Sequence, residues 1–186
     1  MKRALVLLAD GCEEVEALTP VDYLRRSEIE VLVAGLGGGD ITGAHDIRID
    51  ADLSLDELDE ETAAGFDAIV VPGGGKGSTN IAADSDAVSL IKRHFGAGKL
   101  VAAICAAPAI VLHGACGILA GRRFTCYPGL EAKVTGASFI AERVVVDGNL
   151  ITARAAGCAG EFSRAIVEAL AGSLIADELS ERVLLG

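Results

Sequence analysis

The chain has 186 residues, 51% of them hydrophobic, and 16 basic against 27 acidic side chains give it a formal net charge of -11. Such apolar content excludes a disordered chain, and the length suits one domain, 1–186, with a sizeable core. The surplus negative charge, with aromatics at only 4%, argues against nucleic acid and against anionic membrane surfaces as partners.

The apolar run Ala4–Ala9 follows Lys2 and Arg3 and stops at Asp10-Gly11. A signal peptide needs an apolar stretch of roughly 7–15 residues, so this shorter run reads as a first strand. Glu13 to Arg26 carries Val15, Leu18, Val21 and Leu24 at a helical three-residue step, with Pro20 expected in the first turn of that helix or at its first position. Ile29–Ala34 reads as a strand, Ile41–Asp50 as a short edge hairpin and Leu53–Thr62 as a short acidic helix. Asp67–Val71 is the next strand, broken by Pro72-Gly73-Gly74-Gly75, and Asp84 can cap a helix from Ser85 to Phe95. Leu100 to Gly121 holds no Asp, Glu, Lys or Arg and is long enough to span a membrane. Its Pro108, Gly114 and Gly117, and its change from β-like to helix-like residues, point instead to a buried strand running into a buried helix. Arg122–Cys126 follows as a strand. Val144–Val146 and Leu150–Thr152 flank Asp147-Gly148-Asn149 as a hairpin, and Gly160–Ala171 and Ser173–Arg182 are helices. Alternating strands and helices predict a doubly wound α/β fold whose site lies at the carboxyl ends of the strands.

The five cysteines are an odd number without C-x-x-C spacing or an export signal, which predicts free thiols in a reducing cytoplasm. The three histidines, His45, His94 and His113, form no ligand pair at helical spacing, so no metal is expected. Cys105 stands apart because a β-like run, Leu100–Ile104, meets a helix there with no turn residue between them. A side chain on so sharp a bend follows the logic of a nucleophile elbow, and the helix end favours its thiolate. A buried structural thiol is the plainer alternative. Cys12 lies in the first strand-end turn, where exposure on the rim is an alternative to an ordinary buried thiol. The Gly73–Gly75 run lacks the spacing of a nucleotide loop, so it is either a plain turn or a source of backbone N–H groups that, with Ala106, hold an oxyanion. Glu13, Glu14 and Glu16 are either a solvated helix start or, on the face shared by Glu13 and Glu16, a proton donor to Cys105.

Lys2-Arg3-Ala4-Leu5-Val6, Gly11-Cys12-Glu13-Glu14-Val15-Glu16, Pro20-Val21-Asp22, Val33-Ala34-Gly35-Leu36, Val71-Pro72-Gly73-Gly74, Ala102-Ala103-Ile104-Cys105-Ala106 and Ala165-Ile166-Val167-Glu168-Ala169-Leu170 resemble the ThiJ/PfpI superfamily. Within it they are most similar to the branch of the Parkinson-disease protein deglycase and YajL. The resemblance covers nearly the whole chain in order. It implies a flavodoxin-like fold with a mostly parallel sheet and helices on both faces, a homodimer, and no cofactor. It further implies that Cys105 is a reactive, easily oxidised nucleophile and that Glu16 is the protonated acid touching it. Glu13 and Tyr127 would stand in the substrate pocket, and the N–H groups of Gly74 and Ala106 would be the oxyanion donors. The activities implied are conversion of methylglyoxal or glyoxal to hydroxy acids, removal of early glycation adducts from protein, and, as an alternative, oxidative-stress sensing or redox-regulated chaperone action through Cys105.

The sequence departs from the pattern of the family it resembles at several points. Ala106 stands where the peptidase branch has His, so the adjacent Cys-His dyad of a peptidase is missing. Tyr127 replaces a His, His45 replaces an arginine near the dimer seam, and Ala153-Arg154-Ala155-Ala156-Gly157-Cys158 replaces S-R-G-P-G-T.

Overall fold

The N-terminal apolar run forms β1 (Arg3–Leu8), and all but its first residue is buried. It lies between β2 (Glu30–Gly35) and β6 (Ala68–Val71), parallel to both. A computed structural model describes residues 1–186. Its main sheet also takes in β5 (Leu53–Ser54), β7 (Leu100–Ile104), β10 (Val144–Asp147) and β11 (Leu150–Ala153), in the order β10-β11-β7-β6-β1-β2-β5. Only β10 runs antiparallel to its neighbour, through the expected hairpin with β11. Strands covered on both faces read as continuous apolar runs, which is why β1, β6 and β7 were visible in the sequence.

Buried side chains gather on both faces of the sheet. On one face lie α1 (Glu14–Arg26), α5 (Ala159–Ala171) and α6 (Ser173–Val183). On the other lie α3 (Gly75–Ala83), α4 (Ser85–Gly96) and a wide helical segment, Pro108–Ala115, with π-type spacing such as the Cys116 N–H donating to the Val111 carbonyl. The helix after β1 thus goes to one face and the helices after β6 to the other. The crevice between the carboxyl ends of β1 and β6 is where such sheets place ligands. The three expected strand ends, after β1, β6 and β7, do share this rim. No helix is long and apolar enough to cross a membrane, and Leu100–Gly121 is β7 followed by the π-type segment.

Four local expectations are corrected. Pro20 lies inside α1 rather than near its start, because the helix already begins at Glu14. Its missing N–H leaves the Glu16 carbonyl, four residues back, without a helical donor. The Leu53–Thr62 stretch is broken into β5, a 3-10 turn at Leu55–Glu57 and the short α2 (Glu60–Ala64), each stabilised by its own polar contacts: Glu57 accepts from the Ser54 N–H and Asp59 caps Thr62. The strand expected over Arg122–Cys126 shortens to β8 (Arg123–Phe124), which pairs with β9 (Ser138–Phe139) outside the main sheet. Finally, α3 had no sequence signal, since Gly75 and Gly77 weaken any helix. Packing supplies what propensity lacks. A Cβ on Gly77 would stand 2.7 Å from the Cys12 Cα, the Gly77 N–H donates to the Gly11 carbonyl at 3.0 Å, and Asn80 Nδ2 donates to the Asp10 carbonyl at 2.8 Å. Elsewhere the hairpin of β3 (Asp40–Thr42) and β4 (Arg48–Asp50) forms as read, and Asp84 caps α4 by accepting from the Asp86 and Ala87 N–H groups.

Candidate active site

β7 ends at Ile104, and the chain turns at Cys105 with φ 64, a left-handed conformation that a residue with a Cβ adopts at a cost of about 1–3 kcal/mol. Two strong backbone bonds hold this bend. The Cys105 N–H donates to the Ala153 carbonyl at 2.9 Å, and the Tyr127 N–H donates to the Cys105 carbonyl at 2.8 Å. The helical turn begins at once, with the Ile110 N–H on the Ala106 carbonyl at 3.0 Å. The sequence elbow is therefore a real one.

Glu16 reaches the elbow from the first turn of α1 and is 1% exposed. Its Oε2 accepts from the Gly73 N–H at 3.0 Å, and its carboxyl lies close enough to Cys105 for each group to shift the ionisation of the other. Gly73 is required by this approach: a Cβ there would stand 2.6 Å from the Cys105 Cβ and overlap Glu16 Oε2. Gly74 has φ 84, and a Cβ on it would meet the Glu13 nitrogen at 2.7 Å. The backbone N–H groups of Gly74 and Ala106 both favour the thiolate at Cys105.

Burial pushes the Glu16 carboxyl up to about 7, the Cys105 contact opposes the rise, and the Glu13 charge adds to it. Burial, the Glu16 charge and the Glu16 hydrogen bond push the Cys105 thiol up to about 12, against the pull of the Gly74 and Ala106 N–H groups. The expected lowering by the helix end is thus present, but burial and the neighbouring carboxyl outweigh it. Two such acids in contact form one unit that releases a first proton near 7 and holds the second far longer. Because the carboxyl is the stronger acid, the singly protonated pair is mainly Glu16 carboxylate beside the Cys105 thiol; the tautomer with the proton on Glu16 and the charge on sulfur is the minor form, favoured by the Gly74 and Ala106 N–H groups.

The acid cluster is no solvated helix start. Glu14 is 4% exposed, and Glu13, at the extended N-cap position, is only half-exposed. Glu13 precedes α1 rather than sharing a helical face with Glu16, and it acts on Glu16 through its charge. Its N–H donates to the Gly73 carbonyl at 3.2 Å. Glu14 accepts from the His45 N–H at 2.7 Å and contacts His45 Nδ1 at 2.8 Å. Burial raises the Glu14 carboxyl, but the His45 contacts outweigh it and hold it below its ordinary value, while Glu14 and Glu13 raise His45. This histidine contact had no signal in sequence, since His45 stands on the far hairpin. Glu13, Glu14 and His45 bring ligand atoms within 4.8 Å of one another, and the direct His45–Glu14 hydrogen bond at 2.8 Å already engages two of the three.

The other sites separate cleanly. Cys12 is fully buried rather than on the rim, and burial pushes it up to about 11. Cys116 and Cys126 are likewise buried and raised to about 11, and Cys158 is buried. Tyr127 is 49% exposed, tied to the elbow by its backbone. A cleft of about 330 Å³ that includes Arg93, His94 and Lys99 opens at the opposite end of the sheet, away from Cys105.

Residues 2–169 match the DJ-1/PfpI family. The chain belongs to this family. Within it, the chain is 39% identical over 186 residues to protein dj-1beta of Drosophila melanogaster, covering 98% of this chain and 97% of that one. It is 37% identical over 170 residues to a deglycase of Pyrococcus abyssi, covering 90% and 99%. It spans less than half the length of two plant members, DJ-1 homologs A and B of Arabidopsis thaliana, which it matches at 39% identity. The structure of oxidized Toxoplasma gondii DJ-1 superposes with a TM-score of 0.94 at 30% identity, covering 99% of this chain and 98% of that one. The flavodoxin-like DJ-1 fold is therefore the one expected from the sequence.

Proposed function

We propose that the protein is a cysteine-dependent enzyme that acts, without a cofactor, on methylglyoxal, glyoxal or the early glycation adducts they leave on amines, with Cys105 as nucleophile. The observation that carries this reading is the Cys105–Glu16 pair on a strained elbow under two convergent N–H groups. The Cys105 sulfur adds to the aldehyde carbon, and the carbonyl electron pair moves to oxygen. The Gly74 and Ala106 N–H groups stabilise that oxyanion, and Glu16 gives it a proton, leaving a hemithioacetal. With methylglyoxal, the Glu16 carboxylate then takes the proton from C1 and C2 is reprotonated. C1 is oxidised as C2 is reduced, so no outside oxidant is needed. Water releases lactate from the resulting thioester and restores the thiol. On a hemiaminal adduct the sulfur instead displaces the amine: the C–S bond forms, the C–N bond breaks as Glu16 gives its proton to nitrogen, and the same hemithioacetal and a free amine result. Glu13 and Tyr127 line the approach. The deglycase of Pyrococcus abyssi supports the reaction class. The test is lactate formation from methylglyoxal by purified protein in a chelator. Aldehyde loss no faster than in buffer alone would overturn the reading.

One observation favours a second reading, an oxidation sensor. Cys105 is the only thiol of the five that is not buried. Mild peroxide is then expected to add two oxygens to Cys105 before any other cysteine, as read by peptide mass spectrometry. Uniform oxidation of all five would count against it.

The unit is proposed to be a homodimer. Val15 and Leu18 are 50% and 41% exposed on one face of α1, and Ile47 on the neighbouring hairpin is 52% exposed, an apolar patch that needs a cover. Leu18→Glu should sediment as a monomer where the wild type sediments as a dimer. Five free thiols fit a reducing compartment such as the cytoplasm.

A further inference from the structure

A half-buried cation loses hydration, so it takes a carboxylate or carbonyl partner. This chain follows that rule at Arg3, which meets Glu30 at 3.1 Å, and at Lys99, which donates to the Ala64 and Phe66 carbonyls. Arg122 donates to Asn149 Oδ1 and to the Asp147 carbonyl, and Arg164 meets Glu168 and Asp177. Arg154 is the exception. It is half-buried, and its guanidinium has no ion pair and no hydrogen bond; its one recorded partner is the Phe139 ring, 5.9 Å from Cζ.

Its place in the fold puts it beside the elbow. Arg154 follows Ala153, the last residue of β11, whose carbonyl accepts the Cys105 N–H. Side chains two apart on a strand share a face. Thr152 faces the next segment, accepting from the Thr125 N–H at 2.9 Å, so Arg154 leaves the rim over Thr125–Tyr127. Tyr127 is the residue bonded to the Cys105 carbonyl. The Arg154 charge is felt at Cys126, where it opposes the effects of burial and of Glu131.

We infer that Arg154 is a specificity-determining residue that receives a carboxylate on the carbonyl compound or adduct attacked by Cys105. The guanidinium offers a planar fork that matches a carboxylate's two oxygens. This rests on the aldehyde reading above and adds a substrate class to it: carbonyl compounds, or adducts on amino acids, with a carboxylate near the reacting carbon. Glu13, whose charge already acts on Glu16, repels an anion from the α1 side, so a carboxylate is received from the β11 side.

Two measurements test it. The first compares alkylation of Cys105 by iodoacetate and by iodoacetamide, which differ in charge and need no turnover. Arg154→Gln should lower the iodoacetate-to-iodoacetamide rate ratio about five- to tenfold and leave the iodoacetamide rate within about twofold, and Arg154→Lys, which keeps the charge but not the fork, should restore the ratio only in part. In the wild type the ratio should fall as salt is added. An unchanged ratio, or an equal loss with both reagents, would overturn the inference. The second compares turnover of 4-carboxyphenylglyoxal with that of phenylglyoxal, where Arg154→Gln should erase a preference for the first. If the wild type consumes neither compound, the aldehyde reading fails, and the alkylation ratio alone still decides for or against Arg154.

Discussion

Cys105→Ala is expected to cut aldehyde turnover about 10⁴-fold, the scale seen when a nucleophile is removed from a site whose groups act as a unit. Remaining turnover would reflect the Gly74 and Ala106 donors and Glu16 acting on water. The same position makes a second, opposite prediction about stability. At φ 64 any side chain with a Cβ is strained, and glycine is not. Cys105→Gly should therefore be more stable to denaturant than Cys105→Ala by about 1 kcal/mol, although it is equally inactive. A gain of that kind would mean that the fold maintains the bend for the sake of the thiol. A structural thiol predicts something else: full turnover in Cys105→Ala.

The sequence made this bend legible because it set a continuous apolar strand directly against a helix at Ile104-Cys105-Ala106, a junction that backbone geometry alone can interpret. The parallel strands were legible for a related reason, since β1, β6 and β7 are buried on both faces. What escaped was set by contacts distant in the chain. The helix α3 exists because Gly77 lets its first turn press on Cys12, and no local propensity records that. The start of α1 lies earlier than Pro20 suggests, because the helix tolerates a proline in its interior, and Glu14 and Glu16 are buried rather than solvated because His45 and Gly73 supply their partners. Cys12 is an ordinary buried thiol rather than a rim residue, as α3 covers it. The ionisation of Cys105 was the subtlest miss. The helix-end donors were foreseen, but the opposing effects of burial and the Glu16 charge depend on three-dimensional proximity.

Glu16→Gln should produce the other large effect, and it acts on stability and on rate in opposite directions. The folded Glu16 carboxyl holds its proton to about 7, whereas an unfolded one holds it only to 4.5. Between those values the native state binds more protons than the unfolded state, so stability falls as pH rises. The loss begins above the unfolded value and is complete just above 7, where it amounts to about 3 kcal/mol. Glutamine is neutral throughout and escapes this loss. Matched at pH 4, the variant should therefore exceed the wild type by up to about 3 kcal/mol at pH 8, read from urea unfolding. It keeps an oxygen to accept from Gly73 and an amide to lie against the sulfur, but it cannot deliver a proton. Turnover should drop about 10²- to 10⁴-fold. Keeping an ionisable acid buried against Cys105 would then be a cost to the fold that only function explains.

If Cys105 and Glu16 share a proton, the rate of Cys105 alkylation by iodoacetamide against pH will report it. In the wild type the rate should rise through about 7, as loss of the first proton lets the minor tautomer with thiolate and protonated Glu16 form, and then level off. In Glu16→Gln that step should vanish, because burial still holds the lone thiol above its ordinary value of 9.0, and reactivity should climb only at more alkaline pH. Identical profiles for the two proteins, or a wild type that shows no rise until pH 9, would contradict the account.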